Sequence, residues 1–480
     1  MNTTLLIAPI ILSIVIGLLL MIFGNKLKIK GLVVVTLLGM GLVATLTILN
    51  IQNVGQSLVL FDLLRDVPIY LKLDKIGVLF SLIITLIWSV VIIYSYEYLK
   101  NNDKKVRYFG FYFMVYGILI GTHYSGNIVT LYLFYELLTI LSAPLVLHNQ
   151  TREAKMAALK YLFYSFCGAY MILFGIFFVN QYASSLEFSL SNAITVGNET
   201  ILLIAVFIMI IGFGVKAGLF PFHAWLWAAH PVAPAPASAV LSSVIVKTGI
   251  LGIIRVIYYV VGTKFIEGTW VQTTLLIFAI ITIFMGSMLA YREDVLKKRL
   301  AYSTISQLSY ILFGLFLFED MAYSGAILHI ASHAMIKCAL FLVAGVIIHQ
   351  TNLHKVSELD GIGKKMPITM FAFTLASLGL IGIPPTGGFI SKWYLAIGAL
   401  QIQNNVLTVI GVVVLLISAL LTAGYLLPIS IRGFFVNDTA VGSKSAKCEP
   451  SMSMLIPIII LVIGMIVIGI APEIVLGFIG

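Results

Sequence analysis

Cysteine is scarce in this chain: 480 residues hold only three, Cys167, Cys338 and Cys448. They lie too far apart to make a disulfide framework or to ligate a metal or an iron-sulfur cluster. No nucleotide-binding glycine loop, flavin motif or cluster-ligand spacing is present either, so the sequence predicts no bound cofactor, and any redox chemistry or ATP hydrolysis must belong to partners. Charged residues make up only 10% of the chain. Carboxylates are scarcest where they would matter most: Glu136 is the only one well inside a hydrophobic segment, while Lys216, Lys247, Lys337 and Lys392 also lie inside such segments. No Pro/Gly/Ser-rich linker or low-complexity tract divides the chain, and its longest polar connections, 52–75 and 181–200, are too short for a soluble domain.

What remains is apolar. The chain is 60% hydrophobic with a mean hydropathy of +1.08, and stretches long enough to cross a bilayer recur along it. This is an all-α polytopic membrane protein by expectation. Fourteen spans are expected, beginning near Leu5, Gly31, Ile76, Tyr108, Ile128, Ala157, Ile201, Ala237, Val271, Leu300, Met321, Met366, Val406 and Met454. The first, with no basic residue ahead of it and no small-residue cleavage site, reads as a retained helix rather than a signal peptide. The net charge of +10 is a topology signal rather than a mark of nucleic-acid binding. Most Lys and Arg fall in the loops on one side of these spans, and only Arg65, Lys72, Lys75 and Lys264 fall on the other. The basic side is then cytoplasmic, and both termini lie outside the inner (plasma) membrane.

A charged side chain at the bilayer centre costs roughly 2.5 to 3.5 kcal/mol, so it must be paired, neutral or beside water. One glutamate cannot pair with four lysines. Burial disfavours the ammonium form, so unpaired lysines can exchange protons, and a row of such groups within a membrane is a proton relay. Glu136 lies about halfway along its span, with a structural ion pair or a protonated carboxyl as the plainer reading. Lys216 precedes the helix-breaking Pro221 and is the expected partner of Glu136, the pair acting as a switch that holds the lysine charged when closed. Replacing Glu136 with Gln is therefore expected to reduce transport greatly. Lys247 has Ser243 one turn before it and Thr248 beside it, though such hydroxyls commonly just bond their own helix. Arg255, two turns on, is expected to snorkel.

His329, His333 and Lys337 recur every four residues and so share one helix face, the middle of the relay. The two histidines could instead bind a metal, but no third ligand of suitable type is evident. Lys392, after the Pro384–Gly388 break, is the far end. His223 is a candidate for proton entry, with His230 nearby and Trp225 and Trp227 as interface anchors. The segments AGLFPFHAWL and TGGFISKWYL align a Gly, a Phe, a final Leu and the aromatic before it, which sets His223 opposite Lys392. Paired interrupted helices of this kind point to an ion site near the midplane.

The segments LYLFYELLTILSAPLVLH, GFGVKAGLFPFHAWLWAAHPVAPAPASAVLSSVIVKTGI, LAYSTISQLSYILFG, LHIASHAMIKCALFLVAG and GIPPTGGFISKWYL occur in this order. Together they resemble the antiporter-like subunits shared by respiratory complex I, multisubunit Mrp-type sodium/proton antiporters and membrane-bound hydrogenases, over roughly Tyr108 to Ile431. The resemblance implies fourteen helices, with two inverted five-helix repeats and broken seventh and twelfth helices. The chain then divides into helices 1–3 (residues 1–107), a first repeat (108–261), a second repeat (262–431) and a C-terminal loop and helix (432–480). By the same resemblance Glu136 is the family's glutamate on helix 5, Lys216 the lysine on broken helix 7, Lys247 that on helix 8, Lys337 that on helix 11, and Lys392 the terminal residue on broken helix 12. Lys392 differs from the complex I subunit that carries Glu at that position, and the chain is expected to lack the long lateral helix of the largest complex I member. The segment AHPVAPAPASAVLSSVIVKTGI is most similar to D-type Mrp subunits and the equivalent hydrogenase subunits.

The function implied is proton translocation, with or without sodium, by a subunit that works among other membrane subunits, with peripheral redox subunits if the parent complex is a redox-driven translocase. Two alternatives remain open at this point. One is a free-standing sodium/proton antiporter, which would want more intramembrane carboxylates. The other is a scaffold with a vestigial relay, which would gain stability by discarding its lysines.

Overall fold

In the computed structural model, residues 3–64, 67–183, 185–189, 199–402, 405–436 and 448–479 are described. Arg65 and the stretches 190–198 and 437–447 of two connections lie outside them. The helices follow the apolar runs in order: α1 (Ala8–Phe23), α2 (Ile29–Leu49), α3 (Lys75–Tyr98), α4 (Lys105–His123), α5 (Ile128–Val146) and α6 (Arg152–Tyr182). Next come α7 (Glu199–Lys216), α8 (Ala224–Val232), the continuous α9 (Ala235–Val261), α10 (Trp270–Arg292), α11 (Leu296–Phe316) and α12 (Asp320–Thr351). The last four are α13 (Pro367–Ile381), α14 (Gly387–Gln401), α15 (Val406–Phe435) and α16 (Met452–Ile470). Several starts are fixed by side-chain caps: Asp74, Asn127, Thr151 and Glu319 each accept a hydrogen bond from the amide three residues on.

Ten helices are long and apolar enough to cross a membrane among the described residues. Helices α4 and α11 are long but less apolar, and both are buried along nearly their whole length. A helix surrounded by protein can carry polar side chains where a lipid-facing one cannot, and α11 buries Ser303, Thr304, Ser306, Gln307 and Ser309. At the other extreme, α2 and α15 bury only 28% of their most apolar stretch, against 100% for α9 and α12. The innermost two helices are thus those that carry Lys247, His329, His333 and Lys337.

Both expected interruptions are present. Helix α7 ends at Lys216 and α8 begins at Ala224; α13 ends at Ile381 and α14 begins at Gly387. Gly382, at φ +95°, stops α13 in a conformation that side chains with a Cβ rarely adopt. A Cβ on Gly388 would stand 1.9 Å from the Gly379 carbonyl oxygen, so the two halves cross where only glycine fits.

Two expectations need correction. The connection 52–75 contains an antiparallel hairpin, β1 (Ser57–Leu64) and β2 (Val67–Lys72), paired Ser57↔Lys72 through Leu64↔Val67 with two irregularities. The fold is therefore mostly helical rather than all-α; apolar residues on both faces of β1 conceal the alternation that marks a strand. Arg255 does not snorkel. Its side chain is 1% exposed, forms a two-pronged ion pair with Asp74 at the start of α3, and lies 4.7 and 4.8 Å from the rings of Phe188 and Tyr259. Asp74, the residue that caps α3, supplies a counter-charge that makes snorkelling unnecessary.

Candidate functional site

Lys216 is the last residue of α7 and is fully buried. Its ammonium donates to Thr139 Oγ1 at 2.9 Å and to the Tyr135 carbonyl at 3.4 Å, and lies 3.7 Å from the centre of the Tyr135 ring. The expected direct pair with Glu136 is not formed: among the described residues no ion pair joins them, and Glu136 Oε1 is buried with no hydrogen-bond partner. Helix geometry gives the reason. Tyr135 and Thr139 are four residues apart and share one face of α5, and Glu136, about 100° from Tyr135 and 60° from Thr139, lies to one side of it. Lys216 therefore meets α5 beside Glu136 rather than at its carboxylate.

On α9 the helix widens into a π turn over Leu241–Ile245, a distortion common at functional sites. The Lys247 ammonium donates to the Ser243 carbonyl within it and lies 3.1 Å from His333 Nδ1. Ser243 thus contributes its backbone rather than its hydroxyl, and the Thr248 hydroxyl turns back to the Ile245 carbonyl. The rings of His333 and His329 are 5.8 Å apart. His329 lies between α11 and α14, with Nε2 3.1 Å from Gln307 Oε1 and Nδ1 2.8 Å from Ser391 Oγ. Ser391 Oγ is also 3.1 Å from the Gly388 carbonyl.

This small network has two complete bonding patterns. When Nδ1 is bare, the single Ser391 proton is donated to it. When His329 is an imidazolium, Nδ1–H donates to Ser391 Oγ, and the serine proton turns to the Gly388 carbonyl. The hydroxyl can follow the charge without either ring or helix moving.

Lys392 reaches back across the second break and donates to the Leu380 and Ile381 carbonyls at 2.5 and 2.9 Å. These belong to the last turn of α13, where a cation is favoured by unpaired carbonyls and the helix dipole. Its ammonium is also 5.0 Å from the centre of the Tyr310 ring, which stacks 5.7 Å from His329. Lys337 diverges from this line, donating to Ser303 Oγ and to the Leu300 carbonyl on α11. Of the residues predicted from sequence, Lys247, His333, His329 and Lys392 are thus brought together; Lys216 with Glu136 forms a second centre, and Lys337 a branch.

His223 lies in the segment between α7 and α8, with Nδ1 buried and unpartnered and its ring stacked 6.1 Å from Phe220. It stands apart from the line of amines and imidazoles. His230 is more deeply placed: it is fully buried with both nitrogens unpartnered, and its ring stacks 4.8 Å from Phe341. Sequence reading missed Tyr135, Thr139, Gln307, Ser391 and Ser303. The spacing of Tyr135 and Thr139 was a usable signal, but which helix faces them was not.

Paired broken helices with titratable side chains buried at their ends define a membrane protein of the ion-translocating type. The chain belongs to the NADH:quinone oxidoreductase/Mrp antiporter transmembrane family, whose model matches residues 125–418. A second model, for the N-terminal part of complex I chain 5, matches residues 65–109. The chain is 31% identical to the N subunit of NADH-quinone oxidoreductase from Desulforudis audaxviator over 396 residues, 80% of this chain and 78% of that one. It is 27% identical to the D subunit of the Na(+)/H(+) antiporter from Alkalihalophilus pseudofirmus, over 98% of this chain and 94% of that one. Its fold matches a chain of the membrane-bound sulfane sulfur reductase, an archaeal respiratory membrane complex, with a TM-score of 0.85 at 23% identity, covering 99% of this chain and 96% of that one. The protein is an antiporter-like membrane subunit, and its relatives work within multisubunit membrane complexes.

Proposed function

We propose that this chain passes protons along the membrane midplane, through Glu136, Lys216, Lys247, His333, His329, Lys337 and Lys392, as one subunit of a larger complex. The observation that carries the reading is the contact of Lys247 with His333 at 3.1 Å, continued through His329 to Ser391. An amine and an imidazole in contact, both buried, cannot both be charged cheaply, so they favour one shared proton over two. A shared proton is one that can be passed on. His223 is the entry on the basic side.

Fourteen crossings follow if α7 with α8, and α13 with α14, each count as one broken span, and the two breaks support inverted repeats over residues 108–261 and 262–431. With the basic loops cytoplasmic, both termini lie outside the plasma membrane. Other membrane subunits, and redox subunits where the parent complex has them, supply the driving force. Its relatives, one from a sodium/proton antiporter and one from a quinone oxidoreductase, support both kinds of parent. Sodium coupling requires a partner's carboxylates in addition to Glu136.

The test is His333→Leu in the native complex, assayed for proton movement in inverted vesicles. Transport should fall at least about tenfold, as expected when a positioned proton-transfer group is removed, with the complex still assembled. Wild-type transport in that variant contradicts the reading.

A further inference from the structure

Lys160 lies within a span yet takes no part in the line of buried amines. It projects from α6 beside a groove of about 590 Å³, whose lining includes Glu153, Met156 and Phe163 of α6, Trp227 of α8 and Lys298 at the start of α11. The two lysines approach the same indole, with Lys160 Nζ 4.3 Å and Lys298 Nζ 5.3 Å from the centre of the Trp227 ring. Lys298 is partly neutralised by Glu293, 2.7 Å away. Lys160 has no carboxylate or carbonyl within hydrogen-bonding reach among the described residues, so the Trp227 ring faces its charge with no counter-ion.

From these observations we infer that the groove binds a phospholipid with a phosphoethanolamine headgroup. The order of side chains along α6 is the reason. Phe163 is deepest, Lys160 lies one turn nearer the helix start, and Glu153 two turns further out. Hydrocarbon, then cation, then carboxylate is the complement of acyl chain, phosphate and amine in such a lipid. Lys160 and Lys298 take the phosphate, and Glu153 takes the ammonium beyond it. A headgroup of net negative charge would satisfy the lysines but bring no cation to Glu153.

The surface below the groove fits the tails. Phe163, at the groove's inner end, and Tyr170 and Phe177 beyond it are all exposed, by 66 to 72%. At 1.5 Å per residue these run about 21 Å along the helix, enough for the roughly 15 Å of hydrocarbon in one leaflet. Trp227 at its upper end is the residue type that settles at the membrane–water interface.

The experiment uses the intact complex, reconstituted in vesicles of equal phosphatidylethanolamine and phosphatidylglycerol, re-extracted, and analysed by mass spectrometry for retained lipid. The wild type should retain phosphatidylethanolamine in preference. Lys160→Ala and Lys298→Ala should each reduce that retention about tenfold, the effect of losing one hydrogen bond between charged groups. Glu153→Gln should keep a lipid in place but abolish the preference between the two. Subunit content of each preparation confirms assembly. Retention unchanged in both lysine variants overturns the site; equal retention of the two lipids by the wild type overturns the headgroup. A photoreactive side chain at position 163 gives the second reading: crosslinks to lipid support the proposal, and crosslinks only to a neighbouring subunit overturn it.

Discussion

The two broken helices hold their lysines in opposite ways. At the first break Lys216 stands before the interruption and leans away from it, onto a hydroxyl and the face of Tyr135. At the second break Lys392 stands after the interruption and reaches back to two carbonyls at the end of α13. Carbonyls at a helix C-terminus are fixed acceptors aligned with the dipole, and they hold an ammonium firmly. A threonine hydroxyl, a long 3.4 Å bond to the mid-helix Tyr135 carbonyl and an aromatic ring hold one loosely. The same device therefore yields a tied cation at one end and a movable one at the other. Arg255 shows the limit of tying: a carboxylate grips it with both oxygens, and it has no freedom to take part in transport.

That contrast can be broken by mutation, and the largest effect is expected at Arg255. Asp74→Ala leaves a buried guanidinium without its counter-charge, a loss of about 3 to 5 kcal/mol. It should appear as a pronounced fall in the thermal stability of the complex or as failed assembly, whatever the transport assay shows. Lys392→Ala should cost less, because it frees carbonyls rather than a charge. Hydrogen bonds to a charged group contribute about 1.5 to 3 kcal/mol, so a smaller but clear drop in melting temperature is expected, together with lost transport. The smallest effect on stability belongs to Thr139→Val, which removes one acceptor from Lys216 while keeping the shape of the side chain. Melting should barely change, while transport falls and Thr139→Ser restores it. If Thr139→Val melted as early as Lys392→Ala, the two lysines would be tied alike and the contrast would be lost.

Much of this was legible in the sequence. Ten of the described helices are long and apolar enough to cross a membrane, and each begins within a few residues of an expected span, because long apolar runs ended by Pro, Gly or charge leave the bilayer little choice. The positions of Lys216 and Lys392 beside their breaks were readable from Pro221 and from the Pro384–Gly388 run. What those amines touch was not. Whether Lys216 meets Glu136 or Thr139 depends on how α5 is rotated against α7, and about 60° of rotation separates the two answers. The hairpin and the Asp74–Arg255 pair were hidden as well. In the hairpin, apolar residues on both faces of β1 hide the strand alternation, and the ion pair joins residues 181 apart, which no local pattern links. Gln307 and Ser391 looked like ordinary polar residues until α11, α12 and α14 brought them to the two nitrogens of one imidazole.

The measurement closest to the central claim is proton movement in inverted vesicles holding the native complex, wild type against Lys216→Ala, with and without sodium and with each candidate driving force. The account predicts that proton movement is lost in the mutant while the complex stays assembled and melts no earlier than the wild type, since a loosely held buried ammonium is a burden on stability. Unchanged proton movement in an assembled mutant would contradict it and place the ion path in a neighbouring subunit.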